Sequence, residues 1–200
     1  MNASRNLAAF ITILALIGVS WQFHLNGTIA EPEPWLPRIW GMARYYTYIA
    51  NIMVILALGR IALGRTANTD QMTTITLSII MVGIIYRLLL APAEPKAAPD
   101  WYPDFLMHVA VPVLVPLWWL AFCDKTLHLK ALPLWLIPPA LYCLYSLIRG
   151  WIAGSYPYFF FDIGQFGLTQ VVLNCVGLVV VFALCGLVLW GVARLMRRSA

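Results

Sequence analysis

Charge is scarce in this sequence: only 10 % of its 200 residues are Asp, Glu, Lys or Arg, where a soluble domain carries roughly a quarter. That deficit excludes an ordinary soluble fold. Cysteine occurs four times, at Cys123, Cys143, Cys175 and Cys185, always in or beside an apolar run and never in a C-x-x-C or Cys/His spacing that would hold zinc. These four read as small packing residues, and no metal or other cofactor is expected. Lys/Arg-rich runs with interleaved aromatics are also missing, so the formal charge of +5 is not the footprint of a nucleic-acid binder. Neither an internal repeat nor a low-complexity tract is present, and one domain over 1–200 is the economical expectation.

What the chain does have is apolar length. Hydrophobic residues make up 62 % and the mean hydropathy is +0.81. A helix needs about 20 apolar residues to cross ~30 Å of hydrocarbon. The runs predict an all-α polytopic bundle of six spans, at about 7–25, 40–63, 71–91, 104–123, 132–148 and 170–196. The first run is longer than the apolar part of a signal peptide and no clear A-x-A site follows, so it is kept as a span. Loops are marked by Pro32, Pro34 and Pro37 with Glu31 and Glu33, and by the proline-rich stretch Pro92–Pro103. Pro138 and Pro139 should bend or weaken span five, and Arg149–Gly167 looks too broken to cross. Lys and Arg in short loops favour cytoplasmic termini: Arg5, Arg60, Arg65, Lys125, Lys130, Arg194, Arg197 and Arg198 would then lie inside. Membrane lipids are the expected surroundings; the oligomeric state is open.

Polar residues inside such spans are expensive and point to function. Arg44, Thr47 and Asn51 fall at i, i+3 and i+7 and so share one face of the helix expected for span two. His108 lies in span four, with Asp104 four residues before it and Pro112 four residues after. Asp104 is placed to hold one ring nitrogen, and Pro112 deprives the His108 carbonyl of its helix partner, which predicts a kink. Histidine is the commonest general base, and a threonine hydroxyl within its reach becomes a nucleophile for an ester carbonyl. Arg44 and Asn51 are candidate donors to the oxyanion. Arg87 and Arg149 are candidates to pair with a substrate carboxylate, and Tyr156 and Asp162 are further candidates for substrate contact. On the expected topology all of these lie towards the outer leaflet, while the inner halves are nearly featureless.

Three motifs carry a family resemblance: Tyr-Tyr-Thr-x-x-x-Asn at Tyr45–Asn51, Asp-x-x-x-His-x-x-x-Pro at Asp104–Pro112, and Tyr-x-x-Tyr-x-x-x-Arg-Gly at Tyr142–Gly150 followed by Tyr-Pro-x-x-Phe-x-Asp. The set resembles the androgen-induced gene family, which includes the androgen-dependent TFPI-regulating protein and a bacterial Pr6Pr branch, and it extends over nearly the whole chain. The resemblance implies an intramembrane hydrolase with Thr47 as nucleophile and His108 as base. Its substrates would be lipid esters, namely fatty acid esters of hydroxy fatty acids. A multi-pass protein of the cell membrane is implied, in the bacterial branch the inner membrane, with its site towards the outer leaflet. Two other classes stay open: a non-catalytic lipid-binding protein, and a haem-carrying electron-transfer protein with His24 and His108 as axial ligands.

Overall fold

The computed structural model describes residues 2–27, 34–91 and 98–198, residue 198 by its backbone alone. The acidic stretch with Glu31 and Glu33 and the start of the proline-rich stretch, 92–97, lie outside the described residues. All regular structure among the described residues is helical. In order these are α1 (Ala3–Leu25), α2 (Trp35–Met42), α3 (Tyr46–Ala62), α4 (Thr69–Ile85), α5 (Trp101–Phe105), α6 (Val111–Phe122), α7 (Leu132–Trp135), α8 (Ile137–Ala153) and α9 (Ile163–Arg198). π-Helical turns extend α4 over Tyr86–Leu90 and join α5 to α6 over Leu106–Ala110. Five stretches are long and apolar enough to cross a membrane, and a sixth results if α2 and α3 are taken together.

That pair corrects the expected second span. The chain turns at Ala43–Tyr45, with Tyr45 extended (φ −101°, ψ 131°), and α2 meets α3 at 98°. Arg44 therefore stands in the turn and does not share a helical face with Thr47 and Asn51. Trp35, Leu36, Ile39 and Trp40 form one exposed apolar side of α2. Asn2 caps α1 by accepting from Arg5 N, and Asn68 caps α4 by accepting from Asp70 N and Gln71 N. Each cap stabilises its helix by about 1 kcal/mol.

The chain groups into two compact units, Met1–Cys123 and Asp124–Ala200. In the first, α1, α3, α4 and α6 pack as a ring, α1 on α3, α3 on α4, α4 on α6 and α6 on α1. Side-chain ties at opposite ends show that neighbours run antiparallel. At one end Arg5 donates to the Ala62 carbonyl at 3.3 Å, Trp118 Nε1 to the Ser4 carbonyl at 3.0 Å, and Trp119 Nε1 to Thr73 Oγ1 at 3.1 Å. At the other, Trp21 stacks on Tyr102. The interior is filled by Ile11 and Ala15, Val54 and Leu58, Leu77 and Met81, and Val115 and Trp119, all fully or almost fully buried. Phe10, Ile13, Leu56 and Val113 face outwards, as lipid allows. The half of the ring expected to be featureless is not: Thr73, Thr76 and Ser78 are buried along α4. Threonines that bond back to their own helix, as Thr73 does to the Thr69 carbonyl at 2.9 Å, leave no mark in a hydropathy pattern.

In the second unit the prolines open a helix instead of bending one. Pro138 and Pro139 occupy the first turn of α8, where a missing N–H costs nothing. α8 continues past Arg149 to Ala153 and stops at Gly154, whose φ of +66° only glycine adopts freely. α9 begins at Ile163, earlier than the expected 170, and is interrupted at Gly167 (φ 76°). Asp162 Oδ1 accepts from Gln165 N at 3.2 Å at its start. Of the cysteines, Cys143 is buried, the other three are half-buried, and all four are free thiols.

Candidate active site

The first turn of α3 presents Thr47 and the π-helical turn Leu106–Ala110 presents His108, with Thr47 Oγ1 3.2 Å from His108 Nε2. The proline four residues after His108 is the local reason. An α-helix would offer the His108 carbonyl the N–H of residue 112, which proline lacks, and the predicted kink is replaced by a wider turn with Val111 N bonded to the Leu106 carbonyl. A second π-helical turn faces it at the end of α4, closed by Ala91 N to the Tyr86 carbonyl at 2.6 Å. Each turn delivers one ring, and the two rings stack: Tyr86 lies on His108 with centroids 3.7 Å apart and planes 12° from parallel.

The tautomer of His108 follows from its partners. Nδ1 lies 3.1 Å from the backbone carbonyl of Asp104 and 3.4 Å from Asp104 Oδ1. The nearer partner, a backbone carbonyl, can only accept, so Nδ1 carries the hydrogen and Nε2 keeps its lone pair. The Thr47 hydroxyl then donates to Nε2, the direction of proton transfer that activates an alcohol. The sequence suggested the Asp104 carboxylate as the holder of the ring; its backbone carbonyl is the nearer of the two. The carboxylate has a stronger partner of its own, the Tyr86 hydroxyl, which donates to Oδ2 at 2.7 Å. A hydrogen bond to a carboxylate contributes about 1.5–3 kcal/mol where water is scarce, and the side chains of His108 and Asp104 are only 11 % and 14 % exposed.

Asn51 is fully buried and its Nδ2 donates to the Thr47 carbonyl at 2.8 Å. This contact braces the turn that carries Thr47. The atom of Asn51 left with no hydrogen-bond partner among the described residues is Oδ1, an acceptor, which an oxyanion would repel. Because the helix starts at Tyr46, Thr47 is its second residue and sits at the positive end of the helix dipole, with the neighbouring Tyr48 N already bonded to the Tyr45 carbonyl at 3.2 Å.

A cavity of 870 Å³ opens beside His108, lined by Tyr86, Arg87, Asp104 and His108 among apolar neighbours such as Ile84 and Phe105, with Thr47 outside its lining. Its size falls in the range of small-molecule sites, roughly 300–1,000 Å³. Gly83 lets α4 approach there: a Cβ on it would lie 3.0 Å from Pro112 Cβ and 3.3 Å from the His108 carbonyl oxygen. Gly83→Val is expected to destabilise the protein by about 1–3 kcal/mol and to displace His108. Thermal unfolding in detergent checks the first effect; an unchanged midpoint would mean that the helices separate freely here.

The remaining sequence candidates lie in the second unit. Arg149 is 4 % exposed and its Nη1 donates to the Tyr145 hydroxyl at 2.6 Å, Tyr156 packs against Gly150, and Asp162 caps the start of α9. Sequence reasoning missed Tyr86. A tyrosine hydroxyl inside a span must find a polar partner, and Asp104 is the acidic residue at the adjacent helix start, so that requirement was the available signal. The chain matches no protein-family model, no curated protein and no solved structure.

Proposed function

We propose that this protein is an intramembrane hydrolase of lipid esters that uses Thr47 as nucleophile and His108 as general base. One observation carries the reading: the Thr47 hydroxyl lies 3.2 Å from the one ring nitrogen of His108 that has a lone pair to accept its proton. The resemblance to the androgen-induced gene family supports the same pair.

His108 Nε2 takes the proton of Thr47 as Oγ1 attacks the ester carbonyl carbon. Negative charge builds on the carbonyl oxygen, near the positive end of the α3 dipole. The imidazolium is stabilised by the Asp104 carboxylate, which Tyr86 holds in place, and gives its proton to the departing alkoxide. A water then attacks the acyl-threonine, its proton passing through the same nitrogen, and the carboxylic acid leaves. The cavity beside His108 is apolar and suits an acyl chain, and Arg87 on its wall suits a carboxylate at the chain's end.

A fluorophosphonate carrying an alkyl chain should modify the peptide that contains Thr47, with peptide mass spectrometry reading the adduct. The His108→Ala variant should not react. Modification elsewhere, or none, would favour a non-catalytic lipid-binding protein.

A further inference from the structure

The second unit contains a recess of 240 Å³ at the C-terminal end of α9, lined by Lys125, His128, Trp190, Arg194 and Arg197 among others. We propose that this recess binds the headgroup phosphate of an anionic phospholipid.

Arg194 and Arg197 are three apart on α9 and so share a face. The loop ahead of α7 brings Lys125 and His128 to the same recess. Arg194 lies over the Trp190 ring with its guanidinium carbon 5.3 Å from the centroid, a stacking that holds the planar group still and turns its N–H edge outwards. Among the described residues one negative charge stands nearby. Asp124 accepts from Thr126 N at 2.9 Å, and its carboxyl is held below the usual range by hydrogen bonds from Thr126, with the Arg197 charge adding to the effect. Three permanent cations, Lys125, Arg194 and Arg197, therefore face one carboxylate. The excess is positive, as a phosphate requires.

The same helix face points to a lipid over a free anion. Running back along α9 from Arg194 in steps of seven, helical spacing passes Leu187 and then Val180 on the same face, both exposed. Beyond Gly167, α9 rises roughly 46 Å at 1.5 Å per residue, against about 30 Å of hydrocarbon. Its last turns must leave the apolar layer, which sets the arginines at headgroup depth and the aliphatic stripe beside acyl chains. A cationic head end continuous with an apolar stripe is the complement of an anionic amphiphile.

The test is native mass spectrometry of the full-length protein, released from vesicles of mixed phosphatidylglycerol and phosphatidylcholine. Wild type should retain phosphatidylglycerol in preference to phosphatidylcholine. The Arg194→Gln, Arg197→Gln double variant should lose at least about tenfold of that retention, and the Arg194→Lys, Arg197→Lys variant, which keeps the charge, should recover most of it. Inorganic phosphate added in excess should leave the bound lipid in place. Equal retention by wild type and the glutamine variant would overturn the proposal, as would no preference between the two lipids. Displacement by inorganic phosphate would also overturn it, reassigning the recess to a soluble anion.

Discussion

Replacing His108 with alanine is expected to lower kcat for a lipid ester by about 10³–10⁴-fold, while KM changes little. The imidazole acts on a proton that moves only as the transition state forms, so its removal leaves ground-state binding almost unaffected. Thr47→Ala should cost at least as much, and the double variant no more than the worse single one, because nucleophile and base work as a unit. Thr47→Ser keeps the hydroxyl on the same turn of α3 and should retain measurable turnover. Steady-state kinetics with a fluorogenic ester in detergent, or in vesicles, reads all four variants. Independent, additive losses would mean that the 3.2 Å contact between Thr47 and His108 has no part in a shared proton transfer.

Asp104→Asn carries the second largest effect, about 10–100-fold in kcat, and its size is informative. Where a carboxylate alone sets the tautomer of a catalytic histidine, the asparagine variant loses about 10⁴-fold because the ring is protonated on the wrong nitrogen. Here the Asp104 backbone carbonyl, 3.1 Å from Nδ1, survives the substitution and still requires a hydrogen on that atom. What is lost is the negative charge beside the imidazolium and the full strength of the bond from Tyr86. Kinetics of this variant beside Tyr86→Phe, which removes only the hydroxyl bond, separates the two contributions. A 10⁴-fold loss in Asp104→Asn would show that the carboxylate, not the carbonyl, sets the ring.

The residues of the site divide by how their interactions are written in the chain. His108, Asp104 and Pro112 are four apart, so their relation follows from helix geometry and was legible. The pairing of Thr47 with His108 is long-range, and depth along antiparallel spans together with the family motifs pointed to it. Tyr86 reads in a sequence as one more interfacial aromatic; its partner is 18 positions away, across a loop. The turn at Ala43–Tyr45 was hidden for a different reason. Hydropathy is averaged over about 19 residues, and three residues of turn between two apolar helices hardly move that average. The all-helical pattern of several apolar spans was legible, while the corner that places Thr47 in the first turn of α3 was not. The substitution of π-helical turns for a kink was equally invisible, since proline declares a missing N–H but not how the carbonyl opposite it is accommodated.

The corner between α2 and α3 also bears on where the reaction can occur. On the proposed reading, in which α3 crosses the bilayer, a helix set at 98° to it would lie along the surface, with the exposed indoles of Trp35 and Trp40 holding it at the boundary between headgroups and tails. Thr47 follows that corner by only a few residues, so on this reading its immersion would be set by the float and not by the tilt of the bundle. Thicker or thinner membranes would stretch the opposite end of the ring and leave the hydroxyl level with the water's edge.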